Sequence, residues 1–231
     1  VLALSFEVYP DCKGDLACSK TRKDELAKRK QSGVAHDQLF IRHWDTWKDG
    51  IRAQLFVATL DARGIAGAAR LVSRGIDGDV PSKPFGDDAD YAWAPDGKSM
   101  VFAARIAGRT EPWSTNFDLY LATVDGSESP VNLTAANPAT DTGPVYSPDG
   151  RTLYYRAMKR PGFEADRFQI RALDLASRNA RDIAADWDRS PEGLVVAPDG
   201  RTLYTTVADL GAGSLFAVDV ASGKRTRLDN R

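Results

Sequence analysis

Apolar and β-branched residues in this chain are concentrated in short runs, each closed by residues that favour turns. The pattern is clearest where "YAW" leads through "APDGK" to "SMVFAAR", "PVY" through "SPDGR" to "TLYYRAM", and "LVV" through "APDGR" to "TLYTTV". Phe, Tyr, Val and Thr enrichment marks the runs as strands. Pro presets φ for the first central position of a type I turn, Asp tolerates the second, and Gly takes the positive-φ position that closes a bulged hairpin. A third strand follows each hairpin, "DLYLATV", "QIRALDL" and "SLFAVDV", and after a short turn a fourth, "PVNLT", "ARDIA" and "KRTRL".

The prolines that head the turns are Pro95, Pro148 and Pro198, spaced by 53 and 50 residues. Four short antiparallel strands per ~50 residues describe a propeller blade. The start of the chain supplies a unit without its first strand: "VLALSFEVY", "QLFVATL" and "AARLVS". The predicted fold is therefore all-β, a β-propeller portion of four blades at about 1–75, 76–135, 136–185 and 186–231, the first incomplete, with a partly helical insertion at about 10–53. Exposed strand edges favour aggregation and closed rings of four blades are uncommon, so these units are expected to form part of a larger propeller, with a strand and a Pro-Asp-Gly turn preceding Val1. The Asp-box of sialidase propellers is excluded: Asp and Gly are adjacent here and no Trp follows at the required position.

Departures from the repeat are where function is sought. The insertion carries "CKGDLAC", then "TRKDELAKRK", read as a helix capped by Thr21 with Asp24–Lys28 and Glu25–Arg29 pairs, then "HDQLFIRHWDTWKDG". Cys12 and Cys18 are close enough for a disulfide, which is the favoured reading; free thiols are the alternative. A zinc site would need two further soft ligands, for which the chain offers only His36 and His43, so no metal is expected. Trp44 and Trp47 in "RHWDTW" are candidate walls of a peptide cavity, against the alternative that they pack the insertion onto its blade. "MKRPGFEADRFQ" places Phe163, Glu164, Asp166 and Arg167 in one connection between strands; two acids beside an aromatic suit a cationic peptide N-terminus, against the alternative of a surface ion-pair cluster. In "RIAGRTEPWSTNFD", Trp113 and Asn116 are positioned to line the same face.

Composition narrows the classes. A formal net charge of −1 gives no global pull toward nucleic acid or an anionic membrane, and no apolar run approaches the ~20 residues needed to span a bilayer. Gly-x-Ser-x-Gly, His-Glu-x-x-His and the phosphate-cradling Gly-x-x-x-x-Gly-Lys are all absent, and both histidines lie in the insertion, so neither a catalytic triad nor a cofactor is expected in this chain.

"EVYPDC", "LFIRHWDTW", "EPWSTNFDLY" and "MKRPGFEADRFQI", together with the Pro-Asp-Gly hairpins, resemble bacterial serine peptidases of the prolyl oligopeptidase family, in its dipeptidyl peptidase 5-like and acylaminoacyl-peptidase-like branch. The resemblance implies a propeller that covers an α/β-hydrolase domain, restricts entry to short peptides and holds the substrate N-terminus. The hydrolase domain, the expected partner, would supply Ser, Asp and His, and no triad residue carries over to this chain. Periplasmic or secreted location is implied likewise, in agreement with a disulfide. The alternative is a non-enzymatic TolB-like propeller that docks another protein.

Overall fold

The computed structural model describes residues 1–33, 42–43, 46–47, 50–83 and 86–229, the four residues at 42–43 and 46–47 by backbone only. In chain order, β1 (Leu2–Val8) leads through a helical turn at Pro10–Cys12 into α1 (Leu16–Ala27), then a small hairpin of β2 (Arg42–His43) and β3 (Thr46–Trp47), then β4 (Arg52–Ala58) and β5 (Arg70–Leu71). The next group is β6 (Tyr91–Trp93), β7 (Ser99–Ala104), β8 (Asp118–Thr123) and β9 (Val131–Asn132). After it come β10 (Asp141–Tyr146), β11 (Thr152–Ala157), β12 (Gln169–Asp174) and β13 (Ala180–Ile183), and finally β14 (Val195–Val196), β15 (Thr202–Asp209), β16 (Ala212–Asp219) and β17 (Arg225–Arg227).

These form four antiparallel sheets in sequence order: β1-β4-β5, then β6 to β9, β10 to β13 and β14 to β17, with β2-β3 separate. The register repeats. Met100 pairs with Ala122, Leu153 with Leu173 and Leu203 with Val218, each at the same place in its sheet.

The Pro-Asp-Gly turns are as the sequence predicts. Gly97, Gly150 and Gly200 have φ of 69°, 71° and 71°, a region open to glycine at little steric cost. Asp does more than tolerate its position: the carboxylates of Asp96, Asp149 and Asp199 accept the amides of Lys98, Arg151 and Arg201 at 2.9, 3.1 and 2.9 Å. The turns also stack. A Cβ on Gly150 would lie 3.5 Å from Pro95, and one on Gly200 would lie 3.4 Å from Pro148. Each turn thus leans on its predecessor, which is the rotational repetition of a propeller.

Three apolar clusters fill the gaps between sheets. Leu55, Val57, Val72, Met100, Phe102 and Tyr120 join the first two; Val101, Leu119, Leu153, Tyr155 and Leu173 join the second and third; Tyr154, Ile170, Trp187, Leu203 and Val218 join the third and fourth. Alternation along each strand sends one set of side chains to each neighbour.

The insertion differs from the expectation in its cap. The helix begins at Leu16, five residues before Thr21, because the Asp15 carboxylate accepts the amides of Ala17 and Cys18 at 2.8 and 3.0 Å. It ends at Ala27 and carries an ion pair between Lys20 and Asp24. Cys12 and Cys18 form a disulfide. No helix among the described residues is long and apolar enough to cross a membrane.

Candidate functional site

Within every sheet the strands run antiparallel, so the second-to-third and fourth-to-first connections gather at the end away from the Pro-Asp-Gly turns. All the departures from the repeat fall at this end. Interactions between neighbouring connections confirm that they meet: Gly162 N–H donates to Thr115 Oγ1 at 2.8 Å, Phe168 N–H to Ser190 Oγ at 3.1 Å, and the Arg167 guanidinium to the Trp187 carbonyl.

The connection 158–168 is organised by Asp166. Its carboxylate accepts the amides of Lys159 and Arg160, both at 2.8 Å, and Arg160 Nε at 2.8 Å. Burial alone would raise its pKa; these donors prevail and hold it at about 2. Asp166 is therefore committed to folding its own loop. The Arg160 guanidinium also lies over the Phe163 ring, 4.1 Å from its centroid. Arg167, tied to the Trp187 carbonyl, anchors the loop to the connection between β13 and β14.

Glu164 and Phe163 remain at the surface. Glu164 is exposed and Phe163 is 44% exposed. Trp113, on the neighbouring connection, is 64% exposed. Asn116 is half-buried, and with its side-chain amide turned so that nitrogen and oxygen exchange places it donates to the carbonyls of Asn137 and Ala139 at 3.1 and 3.3 Å. Trp44 and Asp45 lie outside the described residues, as does the Trp47 side chain; the described backbone there pairs Arg42 with Trp47 and His43 with Thr46.

A charged network that sequence reading did not single out lies on the first two sheets. Arg52 reaches Asp77 at 3.0 Å and Glu111 at 3.3 Å; Arg105 reaches Glu111 at 3.7 Å and donates to the Ser114 carbonyl at 2.9 Å. Burial opposes the charge on both guanidiniums. For Arg52 the acids Glu111, Asp77 and Asp79 more than compensate and raise its pKa. For Arg105 burial wins despite Glu111, Asp79 and the field of Glu164, and its pKa falls. The signal in the sequence was Arg52 itself, a charged residue opening the apolar strand "RAQLFVA".

Chemically, this end offers an exposed carboxylate beside exposed aromatic surface, held on connections fixed to one another. Among the described residues, no group of three or more His, Cys, Asp or Glu side chains could hold a metal.

Comparison with known proteins gives a consistent picture. No family model matches the chain. A probable dipeptidyl-peptidase 5 of Emericella nidulans is 34% identical over 210 residues, covering 85% of this chain but 29% of that protein. The chain thus spans less than a third of the length of the curated relatives it matches. Among solved structures, a putative TolB from Agrobacterium tumefaciens has a TM-score of 0.58 at 18% identity, covering 79% of this chain and 59% of that one. A puromycin hydrolase has a TM-score of 0.55 at 20% identity, covering 77% of this chain and 27% of that one. At these identities the structural likeness shows the propeller fold.

Proposed function

We propose that this chain, a β-propeller portion homologous to dipeptidyl-peptidase 5, belongs to a peptidase of the prolyl oligopeptidase family, and that its loop end recognises the free N-terminus of short peptides and gates their entry. Glu164 receives the substrate ammonium. Phe163 supplies an apolar wall beside it. Asp166 and Arg167 act indirectly, by setting the loop that carries Glu164.

The observation that carries this reading is the division of labour between the two acids. Asp166 is consumed by loop amides and Arg160, whereas Glu164 stands exposed next to an exposed aromatic ring. A carboxylate–ammonium hydrogen bond strengthens where a bound peptide excludes water. Bond cleavage, with release of dipeptides or acylated residues from peptide N-termini, falls to an α/β-hydrolase domain outside this sequence, whose Ser, His and Asp supply nucleophile, base and orienting acid. A periplasmic or secreted setting accords with the Cys12–Cys18 disulfide.

The test is Glu164→Gln in the full-length enzyme. Loss of one charged hydrogen bond, about 1.5–3 kcal/mol, lowers kcat/KM for free-amino dipeptide substrates by roughly 10- to 100-fold. Activity on N-acylated substrates and the thermal midpoint stay unchanged. Equal kcat/KM for wild type and variant on the free-amino substrates sinks the proposal.

A further inference from the structure

The interface between the second and third sheets is built differently from its neighbours. The register aligns the pairs Phe102–Tyr120, Tyr155–Arg171 and Thr205–Phe216 at one position of successive sheets. In the second sheet that position holds an aromatic wedge, with Tyr120 stacked on Phe102 at 5.9 Å; in the fourth, Phe216 packs edge-on against Trp187 at 5.2 Å. The third sheet has Arg171 there. A cleft of about 490 Å³ remains, in the size range of small-ligand sites.

The cleft is polar and its charges do not balance. Lys159, Arg171 and Arg178 line it against a single carboxylate, Asp182. Asp182 is shared between Arg171 Nε at 3.0 Å and Lys159 Nζ at 3.6 Å, and the first contact is not aligned as a hydrogen bond. Gln169 also lines the cleft. It is 5% exposed, and its Oε1 has no hydrogen-bond partner among the described residues. An unpaired buried acceptor costs about 1–3 kcal/mol, which a ligand donor would recover. Gln169 and Arg171 stand two residues apart on one face of β12, so an acceptor and a cation are presented roughly 7 Å apart at the backbone.

We propose that this inter-sheet cleft binds the C-terminal end of a short peptide. Arg171 and Lys159 hold the terminal carboxylate, and Gln169 Oε1 accepts the last amide N–H. A peptide C-terminus carries an anion and an N–H donor on either side of one Cα, the combination the cleft leaves unmet. Only Lys159 belongs to the connection that carries Glu164, where its backbone amide bonds to Asp166, and Glu164 itself does not line the cleft, so the two readings are tested separately.

The experiment is calorimetric titration of the intact protein with glycyl-leucine, glycyl-leucinamide and acetate. Glycyl-leucine is expected to bind, with amidation of its carboxylate weakening binding about tenfold or more. Acetate, which lacks the N–H donor, binds more weakly than the dipeptide. Arg171→Met weakens glycyl-leucine binding about tenfold or more and Lys159→Gln a few-fold, and N-acetylglycyl-leucine, which offers Glu164 no ammonium, still binds the cleft. The exposed Lys159 variant and the acid-against-amide comparison decide the matter even if Arg171→Met does not fold. The proposal is overturned by absent binding at about 10 mM dipeptide, by equal affinity for acid and amide, by acetate binding as tightly as the dipeptide, or by loss of binding in Glu164→Gln with Arg171→Met unaffected.

Discussion

Asp141→Asn exchanges a carboxylate with no exposed surface for a neutral amide of nearly the same shape. Asp141 Oδ1 accepts the Asn137 side-chain amide at 2.9 Å, and that amide also donates to the Met158 carbonyl at 3.0 Å. Asp141 Oδ2 has no partner among the described residues. Burial drives the pKa up from 3.8; hydrogen bonds from Asn137 and Thr134 and the charge of Arg171 pull the other way, Asp118 adds repulsion, and the result is about 7. The folded state therefore binds the proton more tightly than the unfolded state. The stability this gives is fully present below pH 3.8 and is lost as pH rises through about 7. At 1.36 kcal/mol per pH unit, the whole window amounts to about 4 kcal/mol, of which ~2.5 kcal/mol falls between pH 5 and pH 8. The asparagine variant carries none of this dependence. Urea unfolding followed by tryptophan fluorescence at the two pH values should show the variant gaining ~2.5 kcal/mol on wild type as pH rises from about 5 to 8. A variant-to-wild-type difference that is the same at both pH values would refute the account of Asp141 as a buried, preferentially protonated acid.

Other expectations are more local. Asp166→Ala removes three loop contacts and should lower unfolding free energy by about 1–3 kcal/mol; since the folded pKa is depressed to about 2, the wild-type contribution is present above 3.8 and fades as pH falls toward 2, a trend that acid titration by circular dichroism would miss in the variant. Gly143 has φ 61°, at the bulge that offsets β10 from β11, and a Cβ there would sit 2.8 Å from Arg156 Nε; Gly143→Ala should destabilise by about 2 kcal/mol in thermal unfolding. Replacing Cys12 and Cys18 together by serine opens the small loop before α1, and should reduce hydrogen-exchange protection of α1 amides by about 2 kcal/mol while amides of the fourth sheet keep theirs.

The sequence by itself determined the repeating unit. Pro148-Asp149-Gly150 and its two counterparts impose turns through φ preferences and side-chain-to-amide bonds that act within a few residues, and the apolar runs beside them become strands wherever the turns put them. Those interactions are short-range, so they survive in a string of letters. Cys12 and Cys18 were near enough in sequence to suggest a bond, though not to exclude free thiols. The start of α1 depended on which of two capping residues, Asp15 or Thr21, the chain uses, and the close pairing of the cysteine loop with Leu71 is a tertiary matter. Only the tertiary structure separated Glu164 from Asp166, because two acids two residues apart look alike until the loop amides choose one of them. It alone also revealed the cleft at Arg171. Strand alternation says that Arg171 shares a face with Gln169; whether that face is filled depends on what the adjacent sheet brings against it, and contacts between sheets join residues that no local propensity links.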